Sequence, residues 1–264
     1  MSAIESTLQS VGAAWFDVAG SARSLLRLFL RTLYGTFRGR AGRERRAIVH
    51  HLWEVGNRSL FFLTVVMGFL GMILVFQSAL QARRIVPELT LLGATFLELL
   101  VRDLAPSIGA LMIATRVGAG IAAEIGSMVV TEQVDALRMC AADPVDYLVV
   151  PRFIAGVVMG VVLTIWSAAI AEGVGLLTGM FVFGISPHTF WNLSLVDAGD
   201  VTVGLTKAVA YGAAIPIVSS YCGLSAYGGS EGVGSATTRA VVGSSLAVIA
   251  LNFVISGLGY FVFP

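Results

Sequence analysis

The stretch RVGAGIAAEIGSMVVTEQVDALRMCAADPVDYLVVPR, residues 116–152, decides how the rest of the chain is read. It gathers Glu124, Glu132, Asp135, Asp143 and Asp146 with Arg116, Arg138 and Arg152, in a chain that is 56% hydrophobic and only 12% charged. Apolar runs too long for ordinary core helices flank it on both sides. Within it, Ile125, Met128, Val129, Glu132 and Leu137 fall at roughly helical spacing, and Gly118, Gly120 and Pro144 punctuate the ends. A half-polar helix this short cannot lie in hydrocarbon, so it belongs at the membrane surface, where a soluble partner can reach it. A connecting loop with no partner fits the same composition.

A charged fraction about half that of a typical soluble domain points to an integral membrane protein. The net charge of +1 leaves no basic surplus for nucleic-acid binding. Two cysteines, Cys140 and Cys222, form neither a disulfide framework nor a metal-site spacing, and His50, His51 and His188 make no ligand set. No metal or cofactor is expected.

Residues 1–50 read as interfacial helices and 51–264 as one membrane domain. In 1–22, Ile4, Leu8, Val11, Trp15 and Val18 recur at helical spacing. In 23–46, Arg23, Arg27 and Arg31 form one stripe and Leu26, Leu30, Leu33 and Phe37 another, before the cluster RGRAGRERR. Such a helix lies flat on an anionic leaflet. Five spans follow, at about 60–82, 89–115, 153–185, 201–226 and 240–262. Gln77 is the strongly polar group of the first. The second carries Glu98, Arg102 and Asp103 at membrane depth, where charge is costly and faces a bundle interior or a wet cavity. Glu98 and Arg102, four apart, are expected to pair, which leaves Asp103 in need of a cation. Lys207, the one lysine of the chain, sits inside the fourth span and is the candidate. The third apolar stretch is either one tilted span or a hairpin broken at Glu172-Gly173. Residues 186–200 and the glycine-rich 227–239 read as loops.

Nine of the 17 cationic residues precede the first span, and Arg116, Arg138, Arg152 and Arg239 join them on one side; Arg83 and Arg84 fall on the other. The positive-inside rule then places the N-terminus and residues 116–152 in the cytoplasm.

The wording of the central segment, AEIGSM, EQVDAL and DPVDYLVVPR, resembles the MlaE (YrbE) family of ABC-transporter permeases. The resemblance continues in VRDLAPSIGALMIATRVGAG (101–120) and ATTRAVVGSSLAVIALNF (236–253), and covers most of the chain from about residue 50. It favours a single third span. It implies an all-α membrane protein of the bacterial inner membrane, with an N-terminal interfacial helix, five transmembrane helices and a cytoplasmic coupling helix. It also implies two copies, or two related permeases, with an ABC ATPase beneath and an MCE-domain ring outside, moving lipid. Asp103 stands where the family commonly has Glu, and Ala105 where it has Gly.

On that footing, Glu124, Ile125, Val129, Glu132, Gln133 and Asp135 are candidates for coupling to the ATPase, with Glu124–Arg116 pairing as an alternative for the first. Leu74 and Gln77 are candidates for an apolar lipid pocket between copies. Arg102, Asp103 and Lys207 lie near it, as headgroup ligands or as a charge lock; low-dielectric burial favours the lock. The chain carries no GxxxxGK[ST], so the resemblance assigns nucleotide to the partner subunit. An intramembrane serine protease lacks a histidine at membrane depth, and an aspartyl pair of Asp103 and Glu172 competes with Arg102 and Lys207. A non-transporting scaffold remains the other class.

Overall fold

The computed structural model describes residues 20, 22–37, 45–85, 92–191 and 194–262, with side chains in the first long helix described to residue 81. The amphipathic helix expected over 1–22, most of RGRAGRERR and the side chains of Arg83 and Arg84 lie outside the described residues. Every regular element among the described residues is helical: α1 (22–37), α2 (Arg45–Ile85), α3 (Leu92–Leu99), α4 (Ala105–Ile113), α5 (Ala119–Val130), α6 (Gln133–Met139), α7 (Val150–Phe183), α8 (Pro187–Phe190), α9 (Ala198–Leu224) and α10 (Gly229–Val262). Wider π-helical turns at Leu100–Leu104 and Ala114–Gly118 join α3, α4 and α5 into one rod, and a third at Val145–Val149 leads into α7.

Five of these helical stretches are long and apolar enough to cross a membrane: Arg45–Gln81, Leu92–Val130, Val145–Phe183, Ala198–Leu224 and Gly229–Val262. Their outward surfaces are apolar where a soluble protein would be polar; Phe61, Phe181, Phe253 and Phe261 are each at least 80% exposed. The protein is a multi-pass membrane protein. α2 lies along α7, and α9 packs between α7 on one side and α5 and α10 on the other. The main core joins Leu63, Met67 and Val75 of α2 to Leu163 and Ala171 of α7 and to Tyr211 and Ile215 of α9.

Helices in a bundle of this kind approach through small residues, because dispersion between closely spaced backbones replaces a hydrophobic driving force. Gly156 and Gly160 of α7 face Gly212 of α9 in this way; a Cβ on Gly156 would stand 2.6 Å from the Gly212 carbonyl oxygen and 2.4 Å from Pro216 Cγ.

Three boundaries differ from the sequence expectation. α2 begins at Arg45 rather than near residue 60, because the amphipathic segment holding His50, His51, Glu54 and Arg58 simply continues the helix. The second span runs on to Val130, so residues 116–130 belong to the rod and not to a separate surface helix. The third stretch is, as the resemblance favoured, one unbroken helix through Glu172 and Gly173. Residues 229–239 are helical despite their glycines: the hydroxyls of Ser235, Thr237 and Thr238 bond to carbonyls three or four residues back, while Gly232 sits directly over the Tyr227 carbonyl. The turn itself shrinks to a few residues around Gly228 and Gly229, both at positive φ.

At one end of the bundle, α1 packs through Leu25, Leu28, Phe29 and Leu33 against Val149, Phe153 and Ile217, and Arg31 donates to Asp143 at 2.6 Å. Its other apolar residues, Leu26, Leu30, Tyr34 and Phe37, remain exposed, as an interfacial helix requires. At the same end α6 is set off by two non-glycine residues in the left-handed region, Glu132 (φ 59°) and Ala141 (φ 55°). Each such residue costs on the order of 1 kcal/mol, so the short helix is held at a fixed angle to the rod.

Candidate functional site

Two features meet the requirements set by the sequence: charged groups inside the spans, and a polar segment projecting beyond them.

Among the first, Lys207 is buried in α9, with 1% of its side chain exposed, and its Nζ donates to Asp103 Oδ1 at 2.5 Å. Ser107, one turn along, also donates to that oxygen. Arg102 does not pair with Glu98. It reaches Asp200 at 2.9 Å, a residue placed by the sequence in a loop. Asp200 closes a capping box at the start of α9: its Oδ2 accepts the Asp197 N–H while Oδ1 takes Arg102. That buried carboxylate is therefore satisfied on both oxygens, whereas Glu98 makes no ion pair among the described residues. The D-x-x-D pattern before an apolar run, Asp197 to Asp200, was the signal that could have found it.

Adjacent residues on an α-helix point about 100° apart, so Arg102 and Asp103 could not both face α9 without help. The π turn over Leu100–Leu104, followed by Pro106, supplies it. Proline removes the N–H that would bond the Arg102 carbonyl, and the wider turn re-aims the pair. Asp200 and Lys207 lie seven residues apart, two turns along the same face of α9. The result is two crossed ion pairs that clamp the rod to α9.

Leu74 is half-buried against the core, while Gln77 is exposed on α2 and bonds to no described residue. Among the described residues Gln77 makes no bond to the ion-pair cluster, and Leu74 shares the main core with Leu100 and Leu104, which flank Arg102 and Asp103. Glu172 keeps both carboxylate oxygens buried on α7 with no hydrogen-bond partner among the described residues, and Asp103 is committed to Lys207, so the two carboxylates form no acid pair.

In the projecting segment, Glu132, Gln133 and Asp135 are exposed, and Asp135 pairs only locally with Arg138 at 2.9 Å. Val129 is half-buried. Ile125, an expected apolar anchor for a partner, is fully buried against Gly223 of α9 and is not free to serve one. Glu124 pairs with Arg152 at 2.7 Å, not with Arg116. The register of the rod explains both: extended as helix to Val130, it turns residue 125 toward α9 and residue 124 toward α7.

Residues 48–258 match the family model described as Permease MlaE. A probable ABC transporter permease protein of Synechocystis is 38% identical over 247 residues, covering 92% of this chain and 91% of that one. Another of Rickettsia typhi is 38% identical over 216 residues, with 80% and 82% covered. The intermembrane phospholipid transport system permease protein MlaE of Haemophilus influenzae is 35% identical over 214 residues, again with 80% and 82% covered.

Proposed function

The chain belongs to the MlaE family of ABC transporter permeases, and on that premise we propose that it moves phospholipid between the bacterial inner membrane and an MCE-domain ring, driven by a separate ATPase subunit. The family match over residues 48–258 carries this reading, together with the Haemophilus relative, a permease of an intermembrane phospholipid transport system. A second copy, or a related permease, completes the apolar pocket to which Leu74 and Gln77 contribute. The N-terminus and α6 face the cytoplasm, consistent with Arg116, Arg138, Arg152 and Arg239 gathering at the α6 end of the helices. Nucleotide binds to the partner, and α6 docks in a groove of that subunit through Glu132, Gln133 and Asp135.

The Asp103–Lys207 and Arg102–Asp200 pairs act as a lock that holds the cavity in shape. Each pair has one buried member and is neutral as a whole, so it has little charge to spare for a headgroup.

The test is co-purification with an ATPase and an MCE-type subunit, then ATP-dependent transfer of labelled phospholipid between vesicles. A complex that hydrolyses ATP but transfers none sinks the transport reading; a chain that emerges alone and lipid-free restores the scaffold. Within the working complex, Glu132→Arg combined with Asp135→Arg is expected to reduce transfer roughly tenfold, since like charges brought together across an interface cost several kcal/mol. Thermal unfolding of the isolated chain should not change, because both side chains are exposed. Unchanged transfer would place the ATPase contact elsewhere.

A further inference from the structure

About 20 Å along the rod from the ion-pair clamp, counted from Asp103 to Arg116 at 1.5 Å per residue, a cavity of about 520 Å³ opens between α2, α5 and the start of α7. Its polar wall carries Glu54, Arg58, Ser59, Arg116, Glu124 and Arg152. Arg58 is paired with Glu54 at 2.8 Å and Arg152 with Glu124 at 2.7 Å. Three guanidinium groups thus face two carboxylates, and Arg116 makes no ion pair among the described residues.

Two further donors belong to residues of the same wall and lack a partner among the described residues. Ser59, 1% exposed, has no partner for its hydroxyl, and Arg152, 3% exposed, uses its two terminal nitrogens but leaves Nε unbonded. Buried donors are almost always satisfied, so two orphans and an unpaired cation around one cavity mark a place for acceptor oxygens. The cavity volume is in the range of small-molecule sites.

We propose that this cavity binds a phosphate group, with Arg116, Arg152 Nε and Ser59 Oγ as its donors. Guanidinium forks match phosphate oxygens, and the net positive wall disfavours a cationic ligand. The rest of the lining includes the apolar Val55, Val117 and Ile121. A phosphate that carries an apolar group therefore fits better than a bare anion. That lipid arm rests on the phospholipid reading above; the anion site itself does not.

The test uses the full chain in detergent and three probes: inorganic phosphate, dihexanoyl phosphatidic acid and dihexanoylglycerol, with binding measured by calorimetry. Phosphatidic acid should bind at one site, Arg116→Gln should weaken it at least tenfold, and Ser59→Ala about threefold. Arg239→Gln, which removes the same charge from an exposed position on α10 outside the cavity lining, should leave the affinity as it was. Binding of phosphatidic acid alone identifies a headgroup site; equal binding of inorganic phosphate, lost in Arg116→Gln, identifies a free-phosphate site. Dihexanoylglycerol binding as tightly as phosphatidic acid overturns the proposal, as does an Arg116→Gln affinity equal to wild type. Should Arg116→Gln not yield folded protein, Ser59→Ala carries the same readout, and an unchanged affinity there is equally fatal. Lost phospholipid transfer with anion binding intact would count against the transport reading alone, and the converse against this site alone.

Discussion

Lys207→Met is expected to destabilise the protein by about 3 kcal/mol, toward the lower end of what breaking a buried ion pair costs. The lower end applies because the stranded partner, Asp103, keeps 38% of its side chain exposed and can recruit water. Asp103→Asn should cost more, about 4 kcal/mol, since the ammonium it abandons is 1% exposed and has no such recourse. The double variant should be less damaged than the sum of the two, with a coupling of about 1–3 kcal/mol in a cycle read by thermal unfolding in detergent. Strict additivity would mean that the 2.5 Å contact contributes nothing as a pair. Phospholipid transfer by the double variant then separates the two roles. Retained transfer in this neutral pair fits a lock, and lost transfer in a stably folded variant means the charges meet the lipid.

Gly156→Ala should be nearly as harmful, by about 2 kcal/mol or more, although it adds a single methyl. That methyl would stand 2.4 Å from Pro216 Cγ and 2.6 Å from the Gly212 carbonyl, and both belong to the α9 backbone or a ring fused to it, which cannot swing aside. α7 and α9 would have to separate along the crossing at which the clamped helix is seated. Gly234→Ala is the matched contrast. It lies in the exposed interior of α10 with nothing within 4 Å of the new Cβ, so it should stabilise by about 0.5–1 kcal/mol through helix propensity alone. Opposite shifts in unfolding temperature are the expected result. A Gly156→Ala protein that melts at the wild-type temperature would show the crossing to be loose.

The spans were legible because apolar length is a strong signal, and so was the Asp103–Lys207 pair, because a lone cation in a span needs a carboxylate. Helix ends were not. Polar residues such as Glu54 and Arg58 look like a boundary, yet a helix that outgrows the hydrocarbon carries them with no change of conformation. The glycines of 229–239 look like a loop, yet close packing on Tyr227 and hydroxyl-to-carbonyl bonds keep them helical. Arg102 was assigned to Glu98 by spacing on one ideal helix. The π turn breaks that geometry and delivers it to Asp200, whose D-x-x-D pattern marks a helix start but not its long-range partner. The G-x-x-x-G spacing of Gly156 and Gly160, not singled out in the sequence reading, is the signal that could have found the α7–α9 crossing.

The rod from Leu92 to Val130 has one more property, which is mechanical. Its 39 residues span about 58 Å with few breaks; α6 follows one end, and the clamp lies about 12 Å from the midpoint toward the other. Such a body is a lever. A tilt of about 10° around its midpoint sweeps the α6 end through roughly 5 Å and Asp103 through roughly 2 Å. The larger movement matches one helical turn at a docking surface, and the smaller one is enough to part a carboxylate from its ammonium.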